Sequence, residues 1–149
     1  MSENKLNIVV SNRSRSEAFR PDTSEQWAAI SIFTPDNEPA KLVGFKKVLH
    51  LCFDDVCSMD PTLSRFTPQM AEKAWAFVDD IIGLGISNLL VHCDAGRSRS
   101  PGMAIAIDEM INKVTDRAAK HPTYNSLVYS TMIHKRQDPG YFPFIKDNL

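Results

Sequence analysis

Short apolar runs rich in β-branched residues alternate along this chain with longer stretches in which apolar residues recur every three or four positions. Residues 6–10, 28–33, 47–53 and 88–92 have the length and composition of buried strands. The longest periodic stretch opens at Thr67, a good N-cap, with Pro68 at the first helical position. Ala71, Ala74, Trp75, Val78, Ile81 and Ile82 then form one apolar stripe, and Gly83 or Gly85 ends it. A second helix follows the 88–92 strand, with Met103, Ala104, Ile107, Met110, Ile111 and Val114 on one face. A third runs from about 125 to 136 with Leu127, Val128, Thr131 and Met132 on its face. Lys135 and Arg136 suit the negative end of its dipole. Asp138-Pro139-Gly140 then turns the chain into an aromatic tail over residues 141–144.

Strands alternating with helices predict an α/β fold with a central, mostly parallel, twisted sheet of four to five strands flanked by helices. At 149 residues the whole chain, 1–149, is expected to form a single domain with a core large enough to need neither disulfide nor metal. Seventeen Lys and Arg against eighteen Asp and Glu give a net charge of −1, without the basic excess of a nucleic-acid binder. No apolar run approaches the roughly 18–20 residues of a membrane span, and the polar start does not read as a signal peptide. Cys52, Cys57 and Cys93 cannot all pair and contain no Cys-x2-Cys. A zinc site from His50, Cys52, Cys57 and His92 lacks ligand spacing. The expectation is a cytoplasmic monomer with reduced thiols, no metal, no cofactor, and neither nucleic acid nor membrane as partner.

In open α/β sheets ligands bind beyond the carboxyl ends of the strands, so the loop after the 88–92 strand is the first place to look for chemistry. It reads His92-Cys93-Asp94-Ala95-Gly96-Arg97-Ser98-Arg99-Ser100 and leads into a helix. A short glycine-containing loop between strand and helix turns successive N–H groups inward, and residues 94–99 would cradle an anion there. Cys93 opens the loop, where that field favours a thiolate. Arg99 has a planar fork that can hold two phosphoryl oxygens at once. Gly96 allows close backbone approach, and Ser100 places a hydroxyl near the sulfur.

The pattern His-Cys-x5-Arg-Ser resembles the active-site loop of the cysteine-dependent protein phosphatases. Val91-His92-Cys93, Ala95-Gly96 and Ser98-Arg99-Ser100 look most like the small dual-specificity branch. The following helix, and Pro122-Thr123 with Asn125 before the third helix, are similar to that family's C-terminal half; residues 1–45 match no motif. The resemblance implies that Cys93 attacks phosphorus and that Arg99 and the loop amides of Asp94, Ala95, Gly96, Arg97 and Ser98 hold the phosphoryl oxygens. A cysteinyl-phosphate is then hydrolysed, with Ser100 assisting the thiolate and His92 orienting the loop. The family's general acid is an aspartate thirty to forty positions before the cysteine. Asp55 stands 38 residues before Cys93 and follows Phe53 by two; Asp54 is the alternative. The implied substrate is a phosphorylated protein, on tyrosine or on serine and threonine, or a small phosphoester.

Other readings stay beside this one. A sulfurtransferase or arsenate reductase uses a similar anion loop, but sulfur transfer has no need of the acidic segment Phe53-Asp54-Asp55. A phosphate-binding module without activity would be expected to lack the cysteine, the arginine or the acid. Cys57 either packs as an ordinary free thiol or approaches Cys93 on oxidation. Arg13 and Arg15 either meet an anionic substrate or are solvated, and Arg97 is expected to face outward. Asp94 disfavours a highly phosphorylated ligand. Asp60 is the next acid candidate should Asp55 and Asp54 both fail.

Overall fold

Four strands form one parallel sheet: β1 (Asn7–Asn12), β2 (Trp27–Phe33), β3 (Lys47–Cys52) and β4 (Asn88–Cys93), in the order β1-β4-β2-β3. A computed structural model describes residues 6–57 and 62–140 of the chain. The expected residues 141–144 tail and Asp60 lie outside the described residues. β4 is central, with Val10 beside Val91 on one edge and Ile30 beside Val91 on the other. Its residues are apolar on both faces because both faces are covered. Leu89, Val91 and Cys93 join the main core, while the alternate residues Leu90 and His92 are buried on the opposite face.

The main face carries three helices. Helix α2 (Pro68–Gly83) begins as expected: the Thr67 side chain accepts from the Met70 N–H, and Pro68 opens the first turn. Ala71, Ala74, Trp75, Val78 and Ile81 are buried, and the Trp75 indole donates to the Met132 carbonyl at 2.8 Å. Helix α3 (Arg99–Ile107) is buried throughout its length, wedged between β4 and α4 (Ser126–Gln137). In α4, Val128, Thr131 and Met132 face inward, and Leu127 is half-buried.

Two local departures from the sequence pattern have clear physical causes. A short helix α1 (Arg13–Ala18) follows β1, and only Ser16 of it is buried, so it carries no apolar stripe to read. It is nucleated by polar groups: Asn12 Oδ1 accepts from the Arg15 N–H at 2.8 Å, and Ser16 Oγ donates to the Asn12 carbonyl at 2.6 Å. The helix expected to reach Val114 instead widens into a π-helical turn, Asp108–Asn112, and stops at a left-handed Lys113 with φ 62°. There the Asn112 amide both donates to the Leu6 carbonyl and accepts from the Leu6 N–H, anchoring the start of β1.

All four strands point the same way. The segments after β1, β2, β3 and β4 therefore share one end of the sheet, and the candidate chemistry collects there.

Candidate active site

Cys93 is the last residue of β4 and is 2% exposed. Its Sγ receives the Gly96 N–H at 3.3 Å and lies 3.2 Å from Ser100 Oγ. The loop can bend back over the sulfur because Gly96 has φ +74°, in the left-handed region. A Cβ there would also sit 2.8 Å from the Ser11 carbonyl oxygen, so glycine is required twice over. The loop rests on the β1–α1 junction through that contact and through the Arg13 N–H, which donates to the Asp94 carbonyl at 3.1 Å.

Ser98 is the N-cap of α3, yet its hydroxyl makes no capping bond. It donates instead to Asp55 Oδ1 at 2.7 Å. The start of α3 thus lacks the side-chain cap that would compete for its N–H groups, which suits a helix start that receives an anion.

Arg99 is 6% exposed and held from three sides. Nη1 donates to the Phe53 carbonyl at 2.8 Å and to Thr34 Oγ1 at 3.1 Å, and Nη2 pairs with Asp94 Oδ2 at 3.1 Å. Thr34 donates in turn to the same Asp94 oxygen at 3.0 Å. Of the five guanidinium N–H groups these bonds use three, which leaves Nε–H and one Nη2–H on adjacent nitrogens. Side-on engagement of two phosphoryl oxygens needs that pair. Asp94 is therefore the counter-ion of Arg99 rather than an unpaired charge at the mouth of the loop.

The two candidate carboxylates diverge. Asp55 is exposed, but its Oδ1 receives Ser98 Oγ from the loop and the Asn125 amide at 2.8 Å. Asp54 turns toward the other end of its own segment, where Oδ2 accepts the Ser64 N–H at 2.8 Å. Only Asp55 of the two is tied to the loop that holds Cys93.

His92 is fully buried on the far face of β4. Its Nδ1 faces the Cys93 carbonyl at 3.0 Å, and a carbonyl only accepts, so Nδ1 carries the proton. Nε2 then accepts from the Ser31 hydroxyl at 2.7 Å. Burial pulls the His92 pKa below its ordinary value, against the opposing effect of the Cys93 carbonyl. His92 is thus a neutral strut under the loop.

The remaining candidate side chains lie outside the bonded cluster of Cys93, Ser100, Arg99 and Asp94. The Arg13 side chain donates to the Glu38 and Pro39 carbonyls, while Arg97 is exposed and its carbonyl accepts from Thr123 Oγ1 at 2.7 Å. Arg15 is exposed and enters this region only through its N–H on Asn12. Cys52, Cys57 and Cys93 are free thiols; Cys57 is exposed and bonds Asn125 Oδ1 at 3.4 Å. Among the described residues no group of three or more His, Cys, Asp or Glu is placed to hold a metal. No described helix is long and apolar enough to cross a membrane.

Thr34, Ser31 and the bridging role of Asn125 escape sequence reading. Thr34 had a usable signal, since it directly follows β2 and shares the carboxyl end of the sheet with Cys93, and Asn125 had one in the motif before the third helix, though not for its bridging role.

The sequence matches no protein-family model and no curated protein. Its fold is similar to that in the crystal structure of PTPMT1, with a TM-score of 0.53, 16% identity, and coverage of 89% of this chain and 90% of that one. At that identity the likeness speaks for architecture alone: the two chains share an α/β fold with a parallel central sheet flanked by helices.

Proposed function

We propose that this chain is a phosphomonoester hydrolase acting on phosphorylated protein side chains through a cysteinyl-phosphate. One observation carries the reading: a buried thiol inside a loop whose arginine is clamped with two adjacent N–H groups left for an anion. The Cys93 thiolate attacks phosphorus as the bond to the leaving oxygen breaks, and Asp55 gives that oxygen its proton. Arg99 and the loop amides hold the equatorial oxygens while charge builds on them. In the second half the Asp55 carboxylate takes a proton from water, the water oxygen attacks phosphorus, and the sulfur–phosphorus bond breaks. The Ser100 hydroxyl, 3.2 Å away, donates to the sulfur as it departs. The bond between Asp55 and Ser98 favours this over sulfur transfer, which has no alkoxide to protonate.

The test is phosphate release from an aryl phosphate and from phosphopeptides by the wild type and by Cys93→Ser. Turnover should fall to background in the variant while inorganic phosphate or vanadate still binds, and a chelator should leave the wild type active. Residual turnover in Cys93→Ser, or loss on chelation, overturns the mechanism.

A further inference from the structure

Asn125 is 1% exposed, and every hydrogen-bonding position of its side chain is occupied. Its amide nitrogen donates to Asp55 Oδ1 at 2.8 Å and to the Val56 carbonyl at 3.2 Å. Its Oδ1 accepts the Val128 N–H at 3.0 Å, capping α4, and the Cys57 thiol at 3.4 Å. The backbone N–H of the same residue donates to the Ser98 carbonyl at 2.9 Å. One buried residue therefore joins the acid segment, the nucleophile loop and a core helix.

We propose that Asn125 is the positioning residue of the acid step, fixing the Asp55 carboxyl so that Oδ2 is the oxygen that hands over the proton. The inference rests on the reading of Asp55 as the general acid. Asp55 is exposed, and among the described residues its carboxyl is bonded by Ser98 and Asn125, both from outside its own segment. Asn125 and Ser98 both donate to Oδ1, which occupies both lone pairs of that oxygen. A proton on Oδ1 would displace one of these donors, so the proton sits on Oδ2. Once it has left, Oδ1 already has two donors to share the new charge, with no side chain needing to move. The backbone of Asn125 is fixed in turn: a Cβ on Gly102 would lie 2.6 Å from the Asn125 carbonyl oxygen, so α3 lies directly against it.

The test uses the full chain, with phenyl phosphate as a poor leaving group and p-nitrophenyl phosphate as a good one. Asn125→Ser keeps an N-cap hydroxyl for α4 but loses the amide donors. It should lower kcat/KM, which reports the step in which the leaving oxygen departs, on phenyl phosphate by roughly 10–10²-fold, the scale of a misplaced catalytic group, and change kcat/KM on the nitrophenyl ester far less. The double variant with Asp55→Asn should be no slower on phenyl phosphate than Asp55→Asn alone, since both remove the same step. Should Asn125→Ser melt too low to assay, Asn125→Asp is read the same way, because its oxygens still accept from Val128 and Cys57. Equal losses on both esters, no loss on either, or multiplicative losses in the double variant overturn the proposal. If Asp55→Asn itself shows no leaving-group dependence, the acid reading fails first and takes this inference with it.

Discussion

The proposed nucleophile loop and the proposed acid segment meet at one site but are secured in opposite ways. Cys93, Arg99 and Ser100 belong to the core, at 2%, 6% and 0% exposure, and are set by a strand end and a helix start. Asp55 is exposed and, among the described residues, is held by side chains from elsewhere, Ser98 and Asn125. The difference follows from what each must do. Groups that stabilise developing charge act most strongly as fixed dipoles with water excluded. A group that gives a proton to one oxygen and takes another from water needs access to solvent. Burial suits the first and would hinder the second.

Substitutions on the two sides should therefore differ in kind as well as size. Asp55→Asn should cost roughly 10²–10⁴ in kcat/KM for an unactivated aryl or alkyl phosphate, and much less for p-nitrophenyl phosphate. Asp54→Asn, whose carboxylate serves Ser64, should show no such dependence; if it does, the wrong carboxylate has been assigned. Arg99→Lys keeps the charge but loses the fork, so a loss of roughly 10²–10³ in kcat is expected for good and poor leaving groups alike. Arg97→Lys should stay near wild type, because that side chain is exposed. A strong leaving-group dependence for Arg99→Lys would erase the contrast between the two regions.

The smallest effect concerns stability. Burial lowers the pKa of His92, and burial with the Arg117 and Lys120 charges lowers that of His121. As the pH falls below 6.5, the ordinary value, the unfolded chain takes up protons there that the folded chain refuses. Stability is thus complete above that pH and is lost progressively below it. Melting curves between pH 7.5 and about 5 should show a falling Tm, with a shallower slope in His92→Gln. An unchanged slope in that variant would mean that His92 is not the neutral strut described.

The sheet, α2 and the nucleophile loop were legible in the sequence because each carries its signal locally. The Thr67-Pro68 start and the stripe from Ala71 to Ile81 specify a helix with one buried face, and glycine among arginines and serines after a strand specifies an anion loop. The sequence favoured Asp55 over Asp54 only by its place after Phe53; the bonds that tie Asp55 to the loop come from Ser98 and Asn125, 43 and 70 residues away, and spacing does not show them. The clamp on Arg99 was hidden likewise, since Thr34 is 65 residues from it. Helix α1 escaped because polar caps, not an apolar stripe, hold it. Spacing along the chain finds groups that act through their own neighbours; it does not find groups positioned by a distant side chain.

The central place of β4 also bears on how the protein is made. β2 and β3 can zip together early, with Ile30 beside Leu49, but among the described residues β1 pairs with β4 alone, where Asn7 meets Asn88. Until residues 88–93 leave the ribosome, the edges of β1 and β2 that flank β4 are unpaired and sticky. Insertion of β4 closes both edges at once and carries Cys93 into its loop in the same event. Pairings this distant make for slow folding, and a partly folded chain would have no assembled nucleophile site. The proposed phosphatase activity should then return during refolding no earlier than protection of the β1 and β2 amides from solvent exchange.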